Sequence, residues 1–68
     1  MIEVDARGLS CPEPVILTMN AMKQNGSEPI KVTVSNTVAR DNICSLVKKR
    51  KRTATAQRVG DDFVIEIA

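Results

Sequence analysis

The chain of 68 residues contains no histidine, tryptophan or tyrosine, a single phenylalanine and two cysteines. The missing histidine removes the partner base of a Cys-His nucleophilic dyad. With only two cysteines besides, a four-ligand zinc site of the usual kinds cannot be assembled within one chain, and no metal cofactor is expected. Two cysteines are also too few for the disulfide framework on which a secreted chain of this size relies, so both thiols are expected to be reduced. Cys11 and Cys44 form no C-x-x-C pair, which leaves a thioredoxin-like redox cycle without its motif. A lone aromatic, Phe63, disfavours RNA binding by base stacking. No run of about 18 apolar residues occurs, and Met1-Ile2-Glu3-Val4-Asp5 has neither the basic start nor the apolar stretch of a signal peptide. No membrane association and a cytoplasmic location are expected.

What is present is the composition of a globular domain, 43% apolar and 26% charged. The length fits one domain, residues 1–68, and a chain this short buries only about 60% of the surface its unfolded form exposes. The net charge of +2 is unevenly distributed: Lys48, Lys49, Arg50, Lys51 and Arg52 form a basic block in the second half.

Ile2, Val4 and Ala6 alternate with Glu3, Asp5 and Arg7, the period of a strand with one buried face. Gly8-Leu9-Ser10 breaks the alternation. From Pro12 the period becomes helical, with Val15, Met19 and Met22 on the inner stripe and Ile16 at its edge, and Asn25-Gly26 is a helix stop. Ile30, Val32 and Val34 then alternate with Lys31, Thr33 and Ser35 as a second strand. Asn36 or Thr37 can cap a second helix whose apolar side is Val38, Ala39, Ile43, Leu46 and Val47. Residues 53–59 and 63–67 read as a hairpin around Gly60-Asp61-Asp62. The order β-α-β-α-β-β, with one apolar face per strand and only two helices, predicts a two-layer α/β sandwich with both helices on one side of the sheet. If the first two strands are parallel, right-handed crossovers put both strand-to-helix turns at the same end of the sheet, bringing Asn36 and Thr37 toward Cys11.

The run Ser10-Cys11-Pro12-Glu13-Pro14 falls where the first strand gives way to the first helix. Proline suits the first helical position because its missing N–H would have no partner there, which makes Cys11 the predicted N-cap, Pro12 the first and Pro14 the third helical residue. The N–H of Glu13 is then available to a thiolate or persulfide, and the helix start adds roughly half a positive elementary charge. Cysteines so placed are more acidic than a free thiol and better nucleophiles. Arg7 can add positive charge, while the Glu13 carboxylate opposes it. The plain alternative is a small apolar filler. A strand-to-helix turn stiffened by two prolines favours instead a lone nucleophile that receives a group and hands it on.

Asp5-Ala6-Arg7-Gly8-Leu9-Ser10-Cys11-Pro12-Glu13-Pro14-Val15 resembles the signature of the TusA/SirA/YedF family of small sulfur-carrier proteins. Ser35-Asn36-Thr37-Val38-Ala39-Arg40-Asp41-Asn42-Ile43 resembles the opening of that family's second helix, nearest to its YedF-like branch. The resemblance implies a four-stranded mixed sheet with two helices on one face. It also implies that Cys11 accepts sulfur from a cysteine-desulfurase-like donor as a persulfide and passes it to a downstream acceptor protein, in tRNA thiolation or related sulfur and selenium metabolism, without a bound cofactor. Two departures are the less bulky third strand, Thr53-Ala54-Thr55-Ala56, and the heavy basic block.

Other residues compete for roles. Cys44 is a resolving thiol or, more plainly, a packing residue well inside its helix. Residues 48–52 favourably meet the negative end of the second helix, or else contact an acidic partner or an RNA backbone through Lys48, Lys49 and Arg50. A non-catalytic regulatory or RNA-binding module is therefore the alternative function. Leu17, pointing away from the expected core, is a candidate docking contact, and Arg40 a candidate electrostatic helper.

Overall fold

The computed structural model describes residues 2–9, 12–26 and 28–68. The central candidate Cys11, with Ser10, lies outside the described residues. Among the described residues six elements follow in the expected order: β1 (Ile2–Asp5), α1 (Glu13–Asn25), β2 (Ile30–Val34), α2 (Thr37–Lys49), β3 (Ala54–Val59) and β4 (Asp62–Ile67). The sheet order is β1-β2-β4-β3. β1 is parallel to β2, and β4 is antiparallel to both β2 and β3. Hence β1, β2 and β3 share one direction, and their carboxyl ends lie together.

The register explains why alternation in the sequence becomes a core. Ile2, Ile30, Ile67 and Ala54 form one cross-strand row, and Val4, Val32, Ile65 and Ala56 another. A shift of one residue in any strand would turn its apolar set to solvent. Ile30, Val32, Val34 and Ile65 are fully buried, and Ala39, Ile43 and Val47 of α2 close over them. Each such side chain contributes about 1.5–3 kcal/mol by leaving water. Both helices feed this one cluster, so they cover the same face, while Glu3, Asp5, Thr55 and Glu66 face outward on the other.

Three expectations are corrected in the helices. The inner stripe of α1 is Pro14, Thr18 and Ala21, with Val15 and Met22 flanking it. Small residues let the helix lie close to β1 and β2, and the buried Thr18 hydroxyl donates to the Pro14 carbonyl at 2.8 Å, so its burial leaves no unmatched polar group. Met19 is displaced to the margin, and Ile16, expected at that margin, is 47% exposed. In α2, Val38 is 60% exposed. It lies one residue before Ala39, about 100° around the helix from the buried side.

α2 ends in a Schellman arrangement: the N–H of Lys51 donates to the Lys48 carbonyl at 3.0 Å and that of Arg52 to the Val47 carbonyl at 3.1 Å. Lys51 has φ +60, the left-handed conformation that usually selects glycine. β3 and β4 are joined by Gly60 and Asp61 between the paired Val59 and Asp62. Positive φ at Gly60 (+62), the first loop residue, is the pattern of a II′ turn.

Candidate functional site

The segment that holds Cys11 begins where β1 stops. The N–H of Ala6 still pairs with the Thr33 carbonyl of β2 at 2.8 Å. The chain then turns through Arg7 and Gly8, whose φ of +76 supplies the positive value a tight turn requires at its third residue. The Gly8 N–H donates to Ser35 Oγ at 2.9 Å. Ser35 directly follows β2, so this bond ties the β1–α1 loop to the β2–α2 loop. Leu9 packs partly into the core. The loop is thus anchored just before Ser10 and Cys11.

It is anchored again just after them. Pro12 accepts the Ile16 N–H at 3.0 Å and is the N-cap of α1, with no side-chain cap. The helix therefore starts one residue later than expected, with Glu13 first and Pro14 second. The reason is local: with φ −97 and ψ 9, Pro12 is not yet helical, and its carbonyl makes the first intrahelical bond. Of the four N–H positions that open a helix without intrahelical partners, two are prolines here, which leaves the donors of Glu13 and Val15. Pro14 is fully buried and clamps the helix start to the core, whereas Pro12 and Glu13 are exposed.

α2 starts at the same end of the sheet. Asn36 is its N-cap, extended in backbone and accepting the Ala39 N–H on Oδ1 at 2.7 Å, and Thr37 is the first helical residue. The structure brings together the β1–α1 loop, the α1 start, Asn36, Thr37 and Arg40. Leu17, 38% exposed, and Ile16 lie in the first turns of α1 at this end.

The cations near this end already have partners. Arg7 donates through Nε and Nη2 to the two Asp5 carboxylate oxygens, both at 2.9 Å, and its backbone N–H donates to Oδ1 at 3.1 Å. Asp62 lies 3.9 Å from another guanidinium nitrogen. These bonds, the Arg7 side chain foremost, hold the Asp5 carboxyl down from 3.8 to about 2, and Asp5 in turn raises Arg7. Arg7 therefore presents an ion pair, not an isolated positive charge as the sequence suggests. Arg40 binds Asp41 at 2.9 Å and lies 4.9 Å over the Phe63 ring. The contacts of Ser35 with Gly8, Asp62 with Arg7 and Phe63 with Arg40 were not read from the sequence. The only hint was the position of Ser35 directly after a strand. The Asp62 and Phe63 contacts depend on strand order.

Other candidates are elsewhere. Lys48, Lys49 and Arg50 close α2 and are exposed. At 1.5 Å per residue they lie about 18 Å along the helix from Asn36. Arg52 donates to the carbonyls of Ala68, Gly26 and Glu28 at 3.0–3.2 Å, stitching three segments together at that far end. Cys44 packs against the core from the side of α2, and burial pushes its thiol up, with Asp41 adding to the rise and Arg40 opposing it. Among the described residues no cluster of three or more His, Cys, Asp or Glu is placed to hold a metal, and no helix is long and apolar enough to cross a membrane. A concavity of about 250 Å³ lined by Glu3, Val4, Asp5, Arg7 and Thr33 lies on the helix-free face, with the Asp5–Arg7 pair in its wall.

A family model described as sulfurtransferase TusA matches residues 2–68. The crystal structure of the SirA-like protein from Desulfitobacterium hafniense superposes with a TM-score of 0.92 at 26% sequence identity, over 98% of this chain and 95% of that one. No curated protein sequence matches this chain.

Proposed function

The chain belongs to the sulfurtransferase TusA family, and from that premise we propose that Cys11 receives sulfur as a persulfide from a cysteine-desulfurase-like donor and relays it to a downstream acceptor protein. Thiolation of tRNA, or a related route of sulfur or selenium metabolism, is the setting. The Cys11 thiolate attacks the outer sulfur of the donor persulfide, R–S–SH. The donor's S–S bond breaks, R–S⁻ leaves, and Cys11–S–SH forms with its proton retained. A second thiolate then removes that outer sulfur in the same way and regenerates Cys11 thiolate. The steps exchange one S–S bond for another, so no external oxidant or reductant enters.

The observation that carries this reading is the double anchoring of the loop. Gly8 on Ser35 and Pro12–Pro14 at the helix start hold the chain on either side of Cys11, at the end of the sheet where both helices begin. Two helix starts and the N–H groups of Glu13 and Val15 favour an anionic sulfur there. Pro12 and Glu13 frame the reactive turn, and exposed Leu17, with Asn36, Thr37 and Arg40, supplies a docking surface for donor and acceptor.

Radiolabelled cysteine with a cysteine desulfurase tests the relay. Label should appear on this chain and leave it when an acceptor thiol is added. Salt-sensitive RNA binding without any sulfur uptake would instead favour the regulatory or RNA-binding module. That reading has less to draw on, since Arg52 is engaged by carbonyls and Phe63 lies beneath Arg40.

A further inference from the structure

β3 is an edge strand without the usual protection. It pairs with β4 on one side only, and Thr55, Ala56, Gln57, Arg58 and Val59 are all exposed. Its pairing with β4 runs unbroken from Ala54 to Val59, so no bulge twists the edge away, and it contains no proline. Its one charge, Arg58, folds back to the Gly60 carbonyl at 3.1 Å. Natural edges normally carry such devices because an open strand recruits another.

The hydrogen-bond parity says which groups are open. The two-residue loop makes Val59 and Asp62 a bonded pair, and the Ala68 N–H on the Thr53 carbonyl at 2.9 Å fixes the same parity at the other end. Thr53, Thr55, Gln57 and Val59 thus turn their backbone groups to β4. Ala54, Ala56 and Arg58 turn theirs outward.

We propose that a second copy of this chain occupies this edge, antiparallel through β3, so that one sheet runs across both molecules. A two-fold axis passes through one residue of β3, either one with outward backbone groups or one that faces β4; centred on Thr55 it would bring Arg58 against Arg52, and centred on Gln57 it would set Ala54 against the Gly60 turn. Centred on Arg58, it would oppose two arginines. Centred on Ala54, it would run Arg58 past the start of the other β3 toward the basic end of its α2. Centred on Ala56, it sets Ala54 against Arg58, Thr55 against Gln57 and Thr53 against Val59, covering the 56% exposed Val59. An antiparallel pair lays the start of each β3, next to the basic end of α2, beside the Gly60–Asp61 turn that ends β3 of the other copy. The basic block and the acidic turn, at opposite ends of β3, become mutually complementary, which favours association and register. The two-fold sends the helix starts of the two copies to opposite ends of the joint sheet.

Sedimentation equilibrium at low ionic strength, from micromolar to about 1 mM chain, tests it. A dimer that dissociates on adding salt is expected, and a monomer throughout overturns the proposal. Asp61→Lys and Lys51→Asp should each weaken the dimer at least about tenfold, and the double variant should recover it. A double variant no tighter than either single one overturns the register. Ala56→Pro removes an outward N–H and leaves the β4 ladder whole, so it should abolish the dimer with an unchanged circular dichroism spectrum. A dimer that survives Ala56→Pro overturns the use of this edge.

Discussion

Asp5 and Arg7 sit two residues apart at the exit of β1, and their pairing is a property of side-chain reach: alternate residues in an extended chain point the same way until Gly8 turns it. Because the carboxyl is lowered in the folded chain, from 3.8 to about 2, the pair favours the fold above the unfolded value and loses that effect as pH falls through the window between the two. Both groups are largely solvent-exposed, so screening keeps the contribution small. The titration itself is the sharper readout: carbon NMR of the Asp5 carboxyl should show a midpoint near 2, and Arg7→Ala should return it close to the ordinary value. A midpoint already ordinary in the unmodified chain would dissolve the pair. The strand-to-helix turn before α1 was legible, although its cap falls on Pro12 where Cys11 was expected, and Asn36 was one of two expected caps of α2. The Asp62 contact to Arg7 was not legible, because nothing local tells that β4 starts beside the β1 exit.

For the elements, alternation was enough. Ile30, Val32 and Val34 read as a strand with one buried face, and Gly60-Asp61-Asp62 announced the hairpin, whose loop is the tighter Gly60-Asp61. The inner side of α1 was harder to see. Hydropathy points to Val15, Met19 and Met22, yet the contact is made by Pro14, Thr18 and Ala21, whose value is small size and a satisfied hydroxyl. Close approach is a property of two surfaces, and one helix's sequence shows only its own. If the approach is as tight as this stripe implies, Ala21→Leu should cost about 1–3 kcal/mol in urea denaturation by overpacking. Thr18→Val should cost under about 1 kcal/mol, because the Pro14 carbonyl keeps its helical N–H donor. The reverse ranking would place the helix stripe elsewhere.

At the scale of the whole molecule, the fold has two chemically distinct ends. One gathers the β1–α1 loop, both helix starts and the exposed Ile16, Leu17 and Val38. The other holds the cations of residues 48–51 and the Arg52 stitch. Of the candidate partner-binding residues, Leu17, Asn36, Thr37 and Arg40 lie at the first end and Lys48, Lys49 and Arg50 at the second. At about 18 Å the α2 cations act on the sulfur end only through a screened field, since the screening length is about 8 Å at physiological salt. Lys48→Glu with Lys49→Glu should therefore leave the rate of sulfur uptake within about twofold at that ionic strength. Leu17→Asp, at the near end, should slow uptake while the folded spectrum is unchanged. A large loss in the lysine variant with none in the leucine variant would move donor docking to the far end.

In the proposed function one thiol, Cys11, carries the transferred atom. Intact mass after incubation with a cysteine desulfurase and cysteine measures this most directly. The unmodified chain and Cys44→Ala should each gain one sulfur atom, released by a thiol reductant, and Cys11→Ala should gain none. Sulfur retained by Cys11→Ala, or lost with Cys44→Ala, would contradict the assignment.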